Sequence, residues 1–219
     1  FGFQNSFTLI RLEVNGEQFN FSEGSGTTTT SDTTDVLNLD AANSDYLDIP
    51  ISENTMTIPS TGDFSYGITF DVPTISTTCG IIGKGVQAST SSRYALFLSG
   101  DNLLVSSGFS SFTISDFRIT YSGQKITLEA KYSTGIEIFV NGVSIATSGI
   151  TRPSSSTNIF FIGAYGISTG LEPAANRYFD GKIYSFFFGD EVWDLSEGSG
   201  TTTTGSSGTV ATINTSHAS

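Results

Sequence analysis

The stretch GIEIFVNGVSIATSG, residues 135–149, limits the folds open to this chain more than any other. Apolar residues recur at every second position on both sides of Asn141–Gly142. Period two puts alternate side chains on opposite faces of a strand. Asn-Gly accepts the two positive φ angles of a type I′ turn. The spacing therefore predicts a β-hairpin. The same alternation runs through most of the chain. GDFSYGITFDVP (62–73) places Phe64, Tyr66, Ile68 and Phe70 on one face. QKITLEAKYS (124–133) places Ile126, Leu128, Ala130 and Tyr132 on one face and Thr127, Glu129 and Lys131 on the other. RYALFLSGDNLLVSSG (93–108) reads as two strands about a turn at Ser99–Asn102. Further strands are expected in 6–14, 34–40, 45–51, 79–85, 114–123, 158–166 and 178–190. No helix longer than one turn is predicted. About a dozen short strands separated by turn signals make an all-β, two-sheet antiparallel sandwich. The five prolines never interrupt a strand run, as sheets require.

Charge and composition remove several functions. The 219 residues hold 21 acids and 9 bases, a net charge of −12. The bases are scattered singly, so the basic stripe that displaces counterions from nucleic acid is missing. No apolar run approaches the ~20 residues that cross a bilayer as a helix, and membrane insertion is not expected. Cys79 is the single cysteine and His217 the single histidine. They cannot supply a Ser-His-Asp triad or a zinc site. Cys79 lies in a strand-like run and reads as a small buried hydrophobe.

One segment recurs. SEGSGTTTT occupies Ser22–Thr30 and again Ser196–Thr204, an offset of 174 residues. The match reaches further in both directions. Glu17, Phe19 and Phe21 correspond to Glu191, Trp193 and Leu195. Leu9, Ile10 and Leu12 correspond to Ile183, Tyr184 and Phe186, and Val36 and Leu39 to Val210 and Ile213. A hydrophobic pattern aligned over some thirty residues is an internal repeat. Two readings stand. In a tandem array, residues 1–20 end one module, 21–190 form a second and 191–219 begin a third. In the other, 1–20 is the first strand of a single sandwich and 191–219 a C-terminal arm repeating the 17–42 pattern. Trp193, Leu195, Gly198 and Gly200 are then the assembly-arm residues, with the glycines shaping a turn. Such an arm can add a strand to a neighbour, so a homo-oligomer is expected, and removal of 196–219 should leave the sandwich folded.

Three pieces in order carry a resemblance. GDFSYGITFDVP is similar to an early strand leading into a sheet crossover. GIEIFVNGVSIATSG is similar to a hairpin turning at Asn-Gly, and YFDGKIYSFFF (178–188) to a closing strand. Together they resemble the laminin-G-like, concanavalin A-like jelly roll over about residues 20–190. The EGSGTTTT flanks resemble segments beside such sandwiches in bacterial surface proteins and in phage fibre and decoration proteins. The resemblance implies a non-catalytic attachment module of a virion or surface appendage, located on the virion or extracellular surface. Its partners would be other virion or appendage proteins and a cell-surface glycan.

The fold also hosts lectins and glycosidases, so two alternatives stay open. The first is a calcium-assisted lectin. The resemblance implies a rim Ca²⁺ site, for which Asp63, Asp101, Asp116 and Asp180 are the candidate ligands; the competing reading is solvent-facing loop acids. No other cofactor is expected. The second alternative is a polysaccharide-degrading enzyme. A retaining glycosidase needs two carboxylates roughly 5 Å apart, which one strand supplies with acids spaced by two. Glu191, Asp194 and Glu197 are spaced by three and read as a solvated turn, so no catalytic residues are assigned. Glycan binding needs an exposed aromatic beside hydrogen-bonding groups. Tyr94, Tyr121, Tyr165 and Tyr178 are the candidates.

Overall fold

Alternating burial builds two sheets, and their packed faces make one core. The structure, a computed structural model, describes residues 11–14, 17–20, 36–49, 56–84, 93–153, 159–165, 177–195, 202–206 and 210–214. Two units divide the chain, Phe1–Thr34 and Asp35–Ser219. These boundaries differ from the 1–20, 21–190 and 191–219 read from sequence. The first unit holds an antiparallel hairpin of β1 (Arg11–Val14) and β2 (Glu17–Asn20).

The second unit is the sandwich. In chain order it contains β3 (Leu37–Leu39), β4 (Tyr46–Ile49), β5 (Phe64–Asp71), β6 (Cys79–Lys84), β7 (Tyr94–Ser99), β8 (Asn102–Ser107) and β9 (Ser110–Ile114). A single helical turn, α1 (Phe117–Tyr121), precedes β10 (Lys125–Tyr132), β11 (Ile136–Val140), β12 (Val143–Ser148), β13 (Phe160–Ile162) and β14 (Gly181–Phe188). The last strands are β15 (Glu191–Asp194), β16 (Thr202–Thr204) and β17 (Val210–Asn214). The first sheet runs β12-β11-β10-β5-β14-β15, with β3 also on β14. The second runs β16-β17-β4-β13-β6-β7-β8-β9. Every assigned strand pairing is antiparallel.

Aromatic rings join the sheets. Phe188 on β14 lies 5.8 Å from Tyr94 on β7 and 5.7 Å from Phe160 on β13. Tyr66 on β5 lies 5.2 Å from Tyr94. Such rings remove large apolar areas from water, and their tilted contacts add to that gain. The expected inward face of β10 is realised: Ile126, Leu128, Ala130 and Tyr132 are buried. The Asn141–Gly142 turn has φ of 50° and 76°, the left-handed pair that a type I′ turn requires. Cys79 is buried, and loss of solvation raises its thiol pKa to about 11.

Three expectations need correction. Residues 114–123 are not a strand: β9 stops at Ile114 and α1 follows. Phe117 and Tyr121, four apart, share one helical face with ring centroids 5.0 Å apart. Residues 191–194 are strand β15, not a solvated turn, and Trp193 is fully buried. The tail is also part of the sandwich. β17 pairs with β4, and Ala211 is buried. Removing 196–219 therefore strips strands from the second sheet.

Candidate functional site

A cleft of about 630 Å³ opens where the chain crosses from β5 to β6 and where it enters β14. Local interactions fix each wall. On one side, Asp40 caps a 3-10 turn, Ala41–Asn43, accepting hydrogen bonds from Ala42 N and Asn43 Nδ2 at 2.8 Å each. Ser44, at φ 63°, ends that turn. The crossover loop is held by Arg118, whose Nη2 donates to the Thr77 carbonyl at 2.8 Å. Gly123 N donates to the Val72 carbonyl at 2.9 Å, and Gly123 takes φ +70° there.

The polar floor belongs to β5 and β14. Their register shifts between Ile183 and Ser185. Tyr184 lies in that irregularity, and its Oη donates to the Asp71 carboxylate at 3.1 and 3.2 Å. Lys125 Nζ sits 3.7 Å from the centre of the Tyr184 ring, a cation–π contact. Loss of solvation and then the Asp71 carboxylate raise the Tyr184 phenol above its usual value.

Tyr178 forms the aromatic wall. It is half-buried, its ring 6.1 Å from that of Tyr46, which in turn lies 5.8 Å from Phe161. Asp180 and Lys182 are exposed at the mouth, with Thr74, Thr77 and Thr78 across from them. The arrangement offers one aromatic face, two carboxylates, an ammonium and several hydroxyls.

The four candidate tyrosines are not brought together. Tyr178 borders this cleft. Tyr165 borders a separate pocket of about 280 Å³ with Arg93, Arg177 and Phe97, and the two guanidiniums partly oppose the rise that burial imposes on its phenol. Tyr121 packs on Phe117. Tyr94 is corrected outright: it is 2 % exposed, with Oη donating to the Met56 carbonyl at 2.9 Å, so it is a core residue and offers no platform.

The four candidate metal ligands are dispersed too. Asp180 is at the cleft. Asp63 pairs with Lys131 at 3.5 Å beside another groove. Asp101 supplies its carbonyl to Arg118 N, and Asp116 precedes α1 at φ 58°. Among the described residues no three His, Cys, Asp or Glu side chains gather to hold a metal ion. Of the arm residues, Trp193 and Leu195 are buried in the sandwich, while Gly198 and Gly200 lie outside the described residues, as does His217. The sequence reading missed Asp71 and Lys182. Asp71 ends a clear strand, and a strand end entering a crossover is the signal that could have marked it.

No family model matches the chain, and no curated protein matches it in sequence. Among solved structures, the mouse laminin alpha1 chain, domains LG4-5, superposes with a TM-score of 0.53 at 10% identity, over 83% of this chain and 47% of that one. The fold is laminin-G-like. The three motifs that carry the resemblance fall on β5, on the β11–β12 hairpin and on β14. The chain spans about half the length of that laminin fragment. A native heptameric SAP-like pentraxin from Limulus polyphemus matches with a TM-score of 0.48 at 14% identity, over 85% of this chain and 98% of that one. The receptor binding domain of botulinum neurotoxin D matches with a TM-score of 0.36 at 15% identity, over 58% of this chain and 34% of that one. Among the described residues, no helix is long and apolar enough to cross a membrane.

Proposed function

We propose that the chain is a non-catalytic attachment module that binds a glycan in the cleft bordered by Tyr178, Asp71, Asp180 and Lys182. The observation that carries this reading is the half-buried Tyr178 ring in a cleft also lined by carboxylate, ammonium and hydroxyl groups. A sugar presents one apolar face and a rim of hydroxyls, and such a wall and rim complement it. The cleft is built on strand ends and pinned loops, so the groups are held in place before the ligand arrives. Calcium is not part of this reading: among the described residues no three acids gather to hold an ion. The EGSGTTTT flanks support display on a virion or an extracellular appendage, with neighbouring appendage proteins as further partners.

The test is retention on immobilised glycans, with the parent chain and Tyr178→Ala compared in calcium and in EDTA. Specific retention that survives EDTA and is lost in Tyr178→Ala, with an unchanged melting temperature, is expected. Retention unaffected by Tyr178→Ala refutes the cleft. Retention abolished by EDTA favours the calcium-assisted lectin, and turnover of a polysaccharide favours the enzyme.

A further inference from the structure

The hairpin of the first unit repeats the β14–β15 hairpin of the sandwich in register as well as in sequence. In β1–β2, Leu12 faces Phe19 and Val14 faces Glu17. In β14–β15, Phe186 faces Trp193 and Phe188 faces Glu191. The outer pair, Arg11 with Asn20, likewise matches Ser185 with Asp194. Every one of these pairs sits at the same offset of 174 residues as SEGSGTTTT. Two residues separate the strands in each copy.

Beyond the hairpin, side-chain sizes compensate. Trp193 stacks on Phe186 with centroids 4.5 Å apart and planes 10° apart, which fixes the indole. Gly205 lies beneath it: a Cβ there would come 2.6 Å from Trp193 Cε2. It would also meet Glu191 Oε1 at 2.5 Å, but a carboxylate end can swing away while the stacked indole cannot. The counterpart of Trp193 is the smaller Phe19, and the counterpart of Gly205 is the larger Ser31. One residue shrinks where its neighbour grows. Close-packed interiors enforce that exchange; a merely repetitive linker has no reason to show it. A neighbouring position keeps its side-chain chemistry. Val192 N donates to Ser206 Oγ at 3.1 Å, and the sequence counterpart of Ser206 is Asp32, again a short side-chain acceptor.

The strand environments then differ in one respect. β14 is an inner strand, with β15 on one edge and β5 on the other. β1 shares a sheet with β2 alone among the described strands. A two-stranded ribbon is marginally stable in water. The sandwich of residues 35–219 already has its own β14–β15 beside β5.

We propose that residues 11–34 are the closing segment of a second copy of this sandwich, and that β1 is shaped to lie against that copy's equivalent of β5. The partner is the same fold, and the chain carries parts of two sandwiches in series.

The test keeps the full 219-residue chain and replaces residues 185–208 with the sequence of residues 11–34. The expected result is retained β circular dichroism and one cooperative melt, at a lower temperature because smaller apolar side chains enter the core. A second measurement uses single substitutions. Gly205→Ser should lower the melting temperature clearly in the parent, and much less when Trp193→Phe is also present. A graft without a cooperative transition overturns the proposal. So does a Gly205→Ser loss that is the same with and without Trp193→Phe, since additivity means that the two positions do not share one packed space.

Discussion

Lys84 offers the sharpest energetic test. It is 4 % exposed, on β6, and its Nζ donates to the Met56 carbonyl at 3.0 Å. Tyr94 Oη donates to the same carbonyl at 2.9 Å. Among the described residues no carboxylate offsets the lost hydration, and desolvation lowers its pKa from 10.5 to about 8. Between those values the unfolded chain holds a proton that the folded chain has released. The Lys84 contribution to stability therefore rises with pH from about 8 and levels off near 10.5. A pKa difference of this size corresponds to roughly 3 kcal/mol, which solvent screening reduces to about 2 kcal/mol. Above about pH 9 the sign reverses. Burial raises the Cys79 thiol from 9.0 to about 11, raises Tyr66 and Tyr94, and lifts Tyr132 to about 12, so the unfolded chain gives up thiol and phenol protons that the folded one keeps. The parent should thus be most stable near pH 9. Lys84→Met removes the buried charge and leaves Tyr94 on the Met56 carbonyl. It should gain about 1 kcal/mol at pH 7, or ~2–4 °C in melting temperature, and lose the alkaline rise. The assay is thermal and urea unfolding of both chains from pH 7 to 11. A parent whose stability is flat or falling between pH 7.5 and 8.5, or a rise that survives Lys84→Met, would falsify the argument.

Two further substitutions probe the fold. Asn141→Pro should cost about 3 kcal/mol or more. Asn141 sits at φ 50°, its N donates to the Thr127 carbonyl at 2.9 Å, and its Oδ1 accepts from Thr127 N at 2.8 Å. An unchanged urea midpoint refutes that role for the turn. Ending the chain at Leu195 should lower the melting temperature sharply and promote aggregation, because it removes β16 and β17, bares the β4 edge and uncovers Trp193. A truncated chain that melts like the parent shows that the tail is an appendage after all.

The strands were legible where one face is buried and the other wet. In β10 and β11 the alternation in sequence is the alternation in burial. Legibility failed where that pattern breaks. At 114–123, Ile114 and Phe117 looked extended, yet Phe117 and Tyr121 pair on a helical turn. In β15 the acids at both ends hid a strand whose one deeply buried side chain is Trp193. The cleft was only half visible. Tyr178 and Asp180 lie in an aromatic-rich segment that invites attention. Asp71 is marked only by its place at a strand end and Lys182 by nothing local, because their proximity depends on the pairing of β14 with β5 across more than a hundred residues.

By itself, the sequence determined the element type wherever one strand face is buried and the other wet, the I′ turn at Asn141–Gly142, the two-layer class and the repeat. All of these follow from period-two burial, from backbone angles that few residues accept, and from direct comparison of residues. Only the tertiary structure decided which tyrosines are surface and which are core, since Tyr94 and Tyr178 occupy similar strand-end contexts in the chain. Only the tertiary structure placed the tail in the second sheet. Strand order depends on which apolar faces exclude water together and which edges find partners. Those are choices among distant segments, and no local stretch of sequence records them.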